Sequence, residues 1–209
     1  MKPIKNKKKV LISKMEPHWQ EQVGSCGPAS AKIILQYFKK NWSERLLRKM
    51  CRKKSYGTNI APLIAGLRRT GAAVSAKSNG TLEDIKKFLK NGLPVMVAVW
   101  SPELGEAHFD PKWSLRERKE NDCGHYAVVY GLSKHFVFLM DPDYYLFEHG
   151  NKTGRQRMSI NKFLEHWYAT DGQKYNKIKC WMLVINFDNR KFKGMKNYLP
   201  TINPKGHHG

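Results

Sequence analysis

Acidic side chains are scarce in this chain. Only 17 Asp and Glu stand against 38 Lys and Arg over 209 residues, which gives a formal net charge of +21. A field of that sign attracts nucleic acid, anionic membrane or acidic peptide. No nucleic-acid motif accompanies it, so a solvated basic surface is the plainer reading and no nucleic-acid partner is expected. Cysteine is also sparse: Cys26, Cys51, Cys123 and Cys180 form no CxxC pair. That excludes a zinc ribbon and a disulfide scaffold, and predicts reduced thiols in a cytoplasmic location. No apolar run approaches the ~20 residues needed to span a bilayer. The run Val10-Leu11-Ile12 is too short for the core of a signal peptide. His108, Asp110, Asp141, Asp143 and His149 could be imagined around a metal, but no pair has the helical spacing of HExxH. No metal and no cofactor is expected.

What is present is organised around Trp19–Ser30, which reads as a loop delivering a cysteine to the start of a helix. Gly24, Ser25 and Gly27 permit a tight bend, and Pro28 suits a first helical turn because its missing N–H would have no partner there. From Ala29 the apolar residues Ile33, Ile34, Tyr37 and Phe38 recur at helical spacing. Cys26 then lies at the positive end of a helix, where thiolate is favoured over thiol and a nucleophile is available. The bland alternative is a buried structural cysteine.

The rest of the chain, with 41% hydrophobic and 26% charged residues, reads as one domain with extensions. Residues 1–14, with six Lys and no acid, form a basic flexible arm with a short strand at Val10–Ile12. The spacing predicts helices over Ala29–Lys40, from Ser43 with Leu46, Leu47 and Met50 buried, and over Thr58–Arg69 with Leu63, Ile64 and Leu67 inside. Ala72–Ala76 is a strand, Thr81–Asp84 a capping box, and Pro94–Trp100 a central strand buried on both faces. Ser101–Asp122 holds six acids and four bases and is a long surface insertion. His125–Leu132 and Phe136–Met140 form a hairpin, Gln156–Met158 a short strand and Ser159–Tyr168 a helix with Ile160, Phe163, Leu164 and Trp167 buried. Cys180–Phe187 is the last strand. The domain runs over 15–190, and 191–209 is a basic tail. Helices first and antiparallel strands later make an α+β fold, a helical half packed on a C-terminal sheet.

Two later positions complete a constellation. Gly124–Val129 puts His125 first on a buried strand, and Asp141 follows sixteen residues on, at the end of the paired strand. A tight hairpin brings the two together. The imidazole can then take the thiol proton while the carboxylate fixes its tautomer and stabilises its charge. Gln20, six residues before Cys26, is within reach as an amide donor, and with the Cys26 N–H it makes an oxyanion hole. Asp143 is expected to be solvated, and Cys123 is a bystander thiol.

These pieces carry a resemblance. Gln20 six before Cys26, Cys26-Gly27-Pro28-Ala29, Gly124-His125-Tyr126-Ala127-Val128-Val129 and Asp141-Pro142 sixteen after His125 together resemble a papain-like cysteine peptidase of the C39 type, the bacteriocin-processing peptidases. The resemblance covers roughly residues 15–187. It implies a papain-like fold, cleavage after a double-glycine leader, Gln20 as oxyanion donor, Cys26 as nucleophile, His125 as base and Asp141 as its orienter. The departures are Ser25 where an acid is common, the 101–122 insertion, and no following transmembrane or ATPase portion, which makes a free-standing enzyme the expectation.

The same triad serves amide transfer and deamidation, and those reactions stay open, as does a basic binding module with a vestigial triad. The expected partner is a peptide or protein, acidic in character because the body of the chain is basic. Charge steering acts over about 8 Å in physiological salt, so only cations near the cleft count. The expectation is that kcat/KM for an acidic peptide falls as salt rises while a neutral analogue changes less. Salt-independent kinetics on both would remove the steering idea.

Overall fold

The computed structural model describes residues 9–54, 57–99, 124–143, 153–170 and 177–188. The expectations for Trp100, the 101–122 insertion, Cys123 and the 191–209 tail lie outside them. Among the described residues the elements run β1 Val10–Leu11, α1 Cys26–Tyr37, α2 Glu44–Met50, α3 Ile60–Arg68, β2 Ala73–Lys77, α4 Leu82–Lys90, β3 Val95–Val99 and β4 His125–Leu132. There follow β5 Phe136–Met140, β6 Arg155–Ser159, α5 Ile160–His166, β7 Tyr168–Thr170, β8 Lys177–Lys179 and β9 Met182–Asn186. Seven strands form one sheet in the order β2-β9-β3-β4-β5-β6, with β1 beside β4. All its pairings are antiparallel. The fold is α+β, as the order of elements implies.

Strand β3 shows why the sheet is central. Val95, Met96, Val97, Ala98 and Val99 are all buried, and the strand bonds to β4 on one side and β9 on the other. A strand covered on both faces reads as an unbroken apolar run. Its register sets Val99 opposite His125. Helix α1 lies against β4, where the Ser30 hydroxyl donates to the Tyr126 carbonyl at 3.0 Å. Gly27 makes the close approach possible: a Cβ there would stand 3.3 Å from the Tyr126 ring and 3.4 Å from Thr58 Cβ.

The helix start differs from the expected Ala29. Helix α1 begins at Cys26 because Pro28 falls in the first turn, where no N–H needs a partner. It stops at Tyr37, and Lys39, at φ 57°, turns the chain in the left-handed region before Asn41. Helix α2 is capped as expected, with Leu46 N–H donating to Ser43 Oγ at 3.3 Å. Its inner face is Leu47 and Glu44, whereas Leu46 is 41% exposed. The capping box of α4 is complete, with Thr81 and Asp84 bonded reciprocally. Helix α5 ends at His166, two residues short of the expected Tyr168. It buries Phe163, leaves Leu164 45% exposed, and Trp167 packs from just beyond it. The β7–β8 hairpin had no sequence signal. It is closed by Trp167 Nε1–H to the Trp181 carbonyl at 2.8 Å and Cys180 N–H to the Trp167 carbonyl at 2.9 Å. The last strand starts at Met182 because Cys180, at φ 49°, sits in a turn.

The described part of the first fourteen residues joins the sheet through the short strand expected near Val10–Ile12. Val10 and Leu11 pair with Leu132 and Gly131, and Ile12 N–H donates to the Tyr130 carbonyl at 2.8 Å. Ile12 and Met15 are buried, so burial of apolar side chains outweighs the freedom of the Lys-rich chain here. Met96 has no exposed surface and lies mid-strand in the sheet centre. Met96→Ala is expected to cost about 2–5 kcal/mol by urea denaturation. A cost below 1 kcal/mol would place the centre of the core elsewhere.

Candidate active site

Cys26 is the first residue of α1 and is 7% exposed, at the seam between helix and sheet. Gly24 precedes it at φ 70°, a conformation that glycine adopts without strain, and the loop folds back so that Ser25 N–H donates to the Gln22 carbonyl at 3.1 Å. Across the seam His125 opens β4. Its Nε2–H donates to Asp141 Oδ1 at 2.7 Å, so Nδ1 is the ring nitrogen that the carboxylate does not engage, and Cys26 is near enough to influence the titration of the imidazole.

The hairpin between His125 and Asp141 is not regular. Val128 pairs with Met140 and Val129 with Leu139, but Gly131 pairs with Phe138, so one extra residue bulges from β4. Continuing the inner register past Met140 sets Asp141 beside Ala127, on the same face as His125. Without the extra residue Asp141 would fall opposite Val128, on the other face.

Asp141 is 1% exposed and fully engaged. Besides His125, Oδ1 accepts from Asp143 N–H at 2.9 Å and Oδ2 from Gln156 Nε2 at 3.3 Å. Gln156 was not among the expected site residues. It reaches Asp141 because β6 pairs Leu139 with Gln156, a long-range register that no local motif announces. Asp143, expected to be solvated, is 2% exposed. The tight turn after β5 buries it beside Asp141, and its N–H serves the Asp141 carboxylate.

Gln20 is 7% exposed, and its backbone N–H donates to the Pro142 carbonyl at 2.8 Å. This bond ties the loop before Cys26 to the turn after Asp141. The side-chain Oε1 is buried and has no hydrogen-bond partner. Burial works against a charged imidazole at His125, but the charge and hydrogen bond of Asp141, followed by those of Cys26, outweigh it. The net effect raises His125 well above its ordinary 6.5. Stability contributed by the charged ring is therefore complete below that ordinary value and lost as pH climbs through the raised one.

The other described thiols sit elsewhere. Cys51 is fully buried, and burial pushes it up to about 12, in an environment that suppresses thiolate. Burial also raises Cys180. Of the metal set considered from sequence, His108, Asp110 and His149 lie outside the described residues, and Asp141 is taken by His125.

The family model of the Peptidase_C39 like family matches residues 12–175. In fold the chain is similar to a protein from Bacillus anthracis assigned as a C39-like peptidase. The TM-score is 0.60 at 16% identity, covering 86% of this chain and 98% of that one. It is similar also to the peptidase domain of Streptococcus ComA, described as a bi-functional ABC transporter involved in a quorum-sensing pathway. That likeness has a TM-score of 0.56 at 19% identity, covering 83% of this chain and 99% of that one. No curated protein sequence matches the chain significantly. The chain belongs to the peptidase C39-like family, whose members are papain-like cysteine peptidases.

The geometry yields a pH prediction. Asp141→Asn removes the main influence that raises His125, so the imidazole loses its proton at lower pH and the alkaline limb of kcat/KM moves acidward. kcat at neutral pH is expected to fall roughly 10²–10⁴-fold. An unmoved alkaline limb, with the His125 ring titrating as in the unaltered protein by NMR, would deny Asp141 this role.

Proposed function

We propose that the protein hydrolyses a peptide bond through Cys26, His125 and Asp141, with Gln20 and the Cys26 N–H as oxyanion donors. The observation that carries this reading is His125, held 2.7 Å from Asp141 through Nε2 while its other nitrogen is left for a cysteine at a helix start. Cys26 Sγ passes its proton to His125 and attacks the substrate carbonyl carbon. The new S–C bond turns the carbonyl oxygen into an oxyanion. His125 then gives the proton to the leaving amine as the C–N bond breaks and a thioester forms. Water, deprotonated by His125, attacks the thioester and frees the acid and the thiol. Thiol chemistry of this kind needs no metal or redox cofactor.

Gln20 is buried, and the Nε2–H end of its amide is the part that can donate to an oxyanion, while the buried Oε1, which has no protein partner, can accept from an N–H of a bound peptide. Leader-peptide processing is the substrate class suggested by the family, and the likeness in fold to the peptidase domain of ComA, a bi-functional ABC transporter, is consistent with it. Among the described residues Cys26, Cys51 and Cys180 are free thiols, which fits a reducing, cytoplasmic setting. Among the described residues no helix is long and apolar enough to cross a membrane.

Incubation with a peptide library followed by mass spectrometry separates the chemistries. New termini mean hydrolysis, a gain of about one dalton on Gln or Asn means deamidation, and ligated products mean transfer. Cys26→Ala is expected to lower turnover about 10⁴-fold or more. Cys51→Ser and Cys180→Ser keep turnover per folded molecule. An active Cys26→Ala protein, or a library changed only by deamidation, would overturn the reading.

A further inference from the structure

One buried charge takes no part in the steps above. Glu44, the first residue of α2, has no exposed surface, and its carboxylate faces the loop that precedes the nucleophile. Oε2 accepts from His18 Nε2 at 2.8 Å, and both oxygens accept from Glu21 N–H at 3.1 Å. Oε1 accepts from the Ser25 hydroxyl at 2.6 Å and from Arg48 Nη1 at 3.0 Å. Three of these donors belong to a single loop. His18 and Glu21 flank Gln20, and Ser25 immediately precedes Cys26.

We propose that Glu44 is a positioning residue that holds Gln20 and the Cys26 N–H in the geometry of an oxyanion hole. The inference rests on the hydrolytic reading of Cys26 and Gln20 given above.

Ser25 shows where the binding energy goes. It is the N-cap of α1, a place where a serine hydroxyl ordinarily accepts from the helix's first-turn N–H groups. Here it makes no such bond. It turns instead to Glu44, to which it donates, and accepts from the Gln22 N–H at 3.3 Å. The hydroxyl is thus used to fix the loop and leaves the helix start beside Cys26 open. Gln20 itself is held from the far side by its N–H on Pro142. Glu44 therefore supplies the near-side clamp, and loss of its acceptors would strand several donors in a buried place.

Burial disfavours the charge on Glu44, yet bonds from His18, Ser25, the Glu21 backbone and Arg48 more than compensate and hold its carboxyl below the usual range. His18, Glu21 and Glu44 also bring ligand atoms within 4.8 Å of one another, as a metal site would. Arg48 already fills the cationic position, with Nη1 at 2.7 Å from Glu21 Oε2 and 3.0 Å from Glu44 Oε1.

The test exploits a difference between two reactions of the same sulfur. Peptide hydrolysis passes through an oxyanion, whereas alkylation by iodoacetamide displaces iodide from a saturated carbon and forms none. Removing one oxyanion donor costs about 10²–10³-fold, and loosening both donors without deleting them is expected to cost about 10–100-fold. Glu44→Gln should therefore lower kcat per alkylatable Cys26 by about 10–100-fold, with KM changed less than kcat. The iodoacetamide rate at Cys26 should stay within about threefold. Ser25→Ala, which keeps the carboxylate and removes one donor, should show a smaller loss of the same kind. It decides the matter if Glu44→Gln does not fold. Unchanged kcat per alkylatable site, or an equal fall in alkylation and turnover, would overturn the inference. An unaltered protein that neither alkylates at Cys26 nor hydrolyses peptides would overturn the functional reading first.

Discussion

A single extra residue in β4 is the constraint on which the site depends. The ladder between β4 and β5 slips between Val129 and Gly131, and that slip carries Asp141 to the face of the sheet that His125 occupies. Side chains alternate along a strand, so an unbulged hairpin of the same length would separate imidazole and carboxylate by the thickness of the sheet. The bulge is held by the N-terminal segment that pairs with it. The Tyr130 carbonyl accepts from Ile12 N–H, and Gly131 leaves room for Leu11, whose Cδ1 would stand 2.5 Å from a Cβ there. The strand near the N-terminus, far from the chemistry in sequence, thus takes part in setting its register.

Sequence periodicity carried the reading where local pattern and tertiary role agree. The unbroken apolar run of β3, the capping box at Thr81 and the hairpin His125–Leu132 with Phe136–Met140 each express one simple physical demand, and each is found where expected. The four site positions also follow from local chemistry, since a helix start, a strand start and a strand end can be recognised without knowing what they meet. What periodicity missed depends on partners distant in sequence. Glu44 looks like a solvated acid in the first turn of a basic helix, and only the returning loop 18–25 turns it inward. Gln156 needs the register of β6, and Asp143 needs a turn tight enough to bury it. Leu46 and Leu164 were assigned inward by helical spacing, yet each helix has only 7 residues and meets the core along one narrow line.

The charge of the chain is distributed in a way that separates two uses of it. Residues 39–54 hold eight Lys and Arg, with Glu44 the only acid. One of those cations, Arg48, is drawn into the pinned loop, where it neutralises Glu44 and Glu21 together. A buried carboxylate is tolerable only with several donors around it, and here an arginine, a hydroxyl, an imidazole and a backbone N–H supply them. Others of the chain's cations serve packing: Lys40 lies over the Phe187 ring, and Arg155 Nη2 donates to the Met15 carbonyl.

The loop before Cys26 is therefore held at two ends by unlike means. On one side a hydrogen bond joins Gln20 to Pro142, the residue after the imidazole's carboxylate partner. On the other an ion network joins His18, Glu21 and Ser25 to α2. The first attachment belongs to the sheet half and the second to the helical half. The loop is thus coupled to both halves, so a relative movement of them would shift Gln20 and His125 together. Helix α1 begins at Cys26 with an N-cap serine whose hydroxyl is turned aside, so its first N–H groups have no side-chain cap and their placement falls to the loop. A sheet on one side and a buried carboxylate on the other supply the fixity that Gly24 denies the loop.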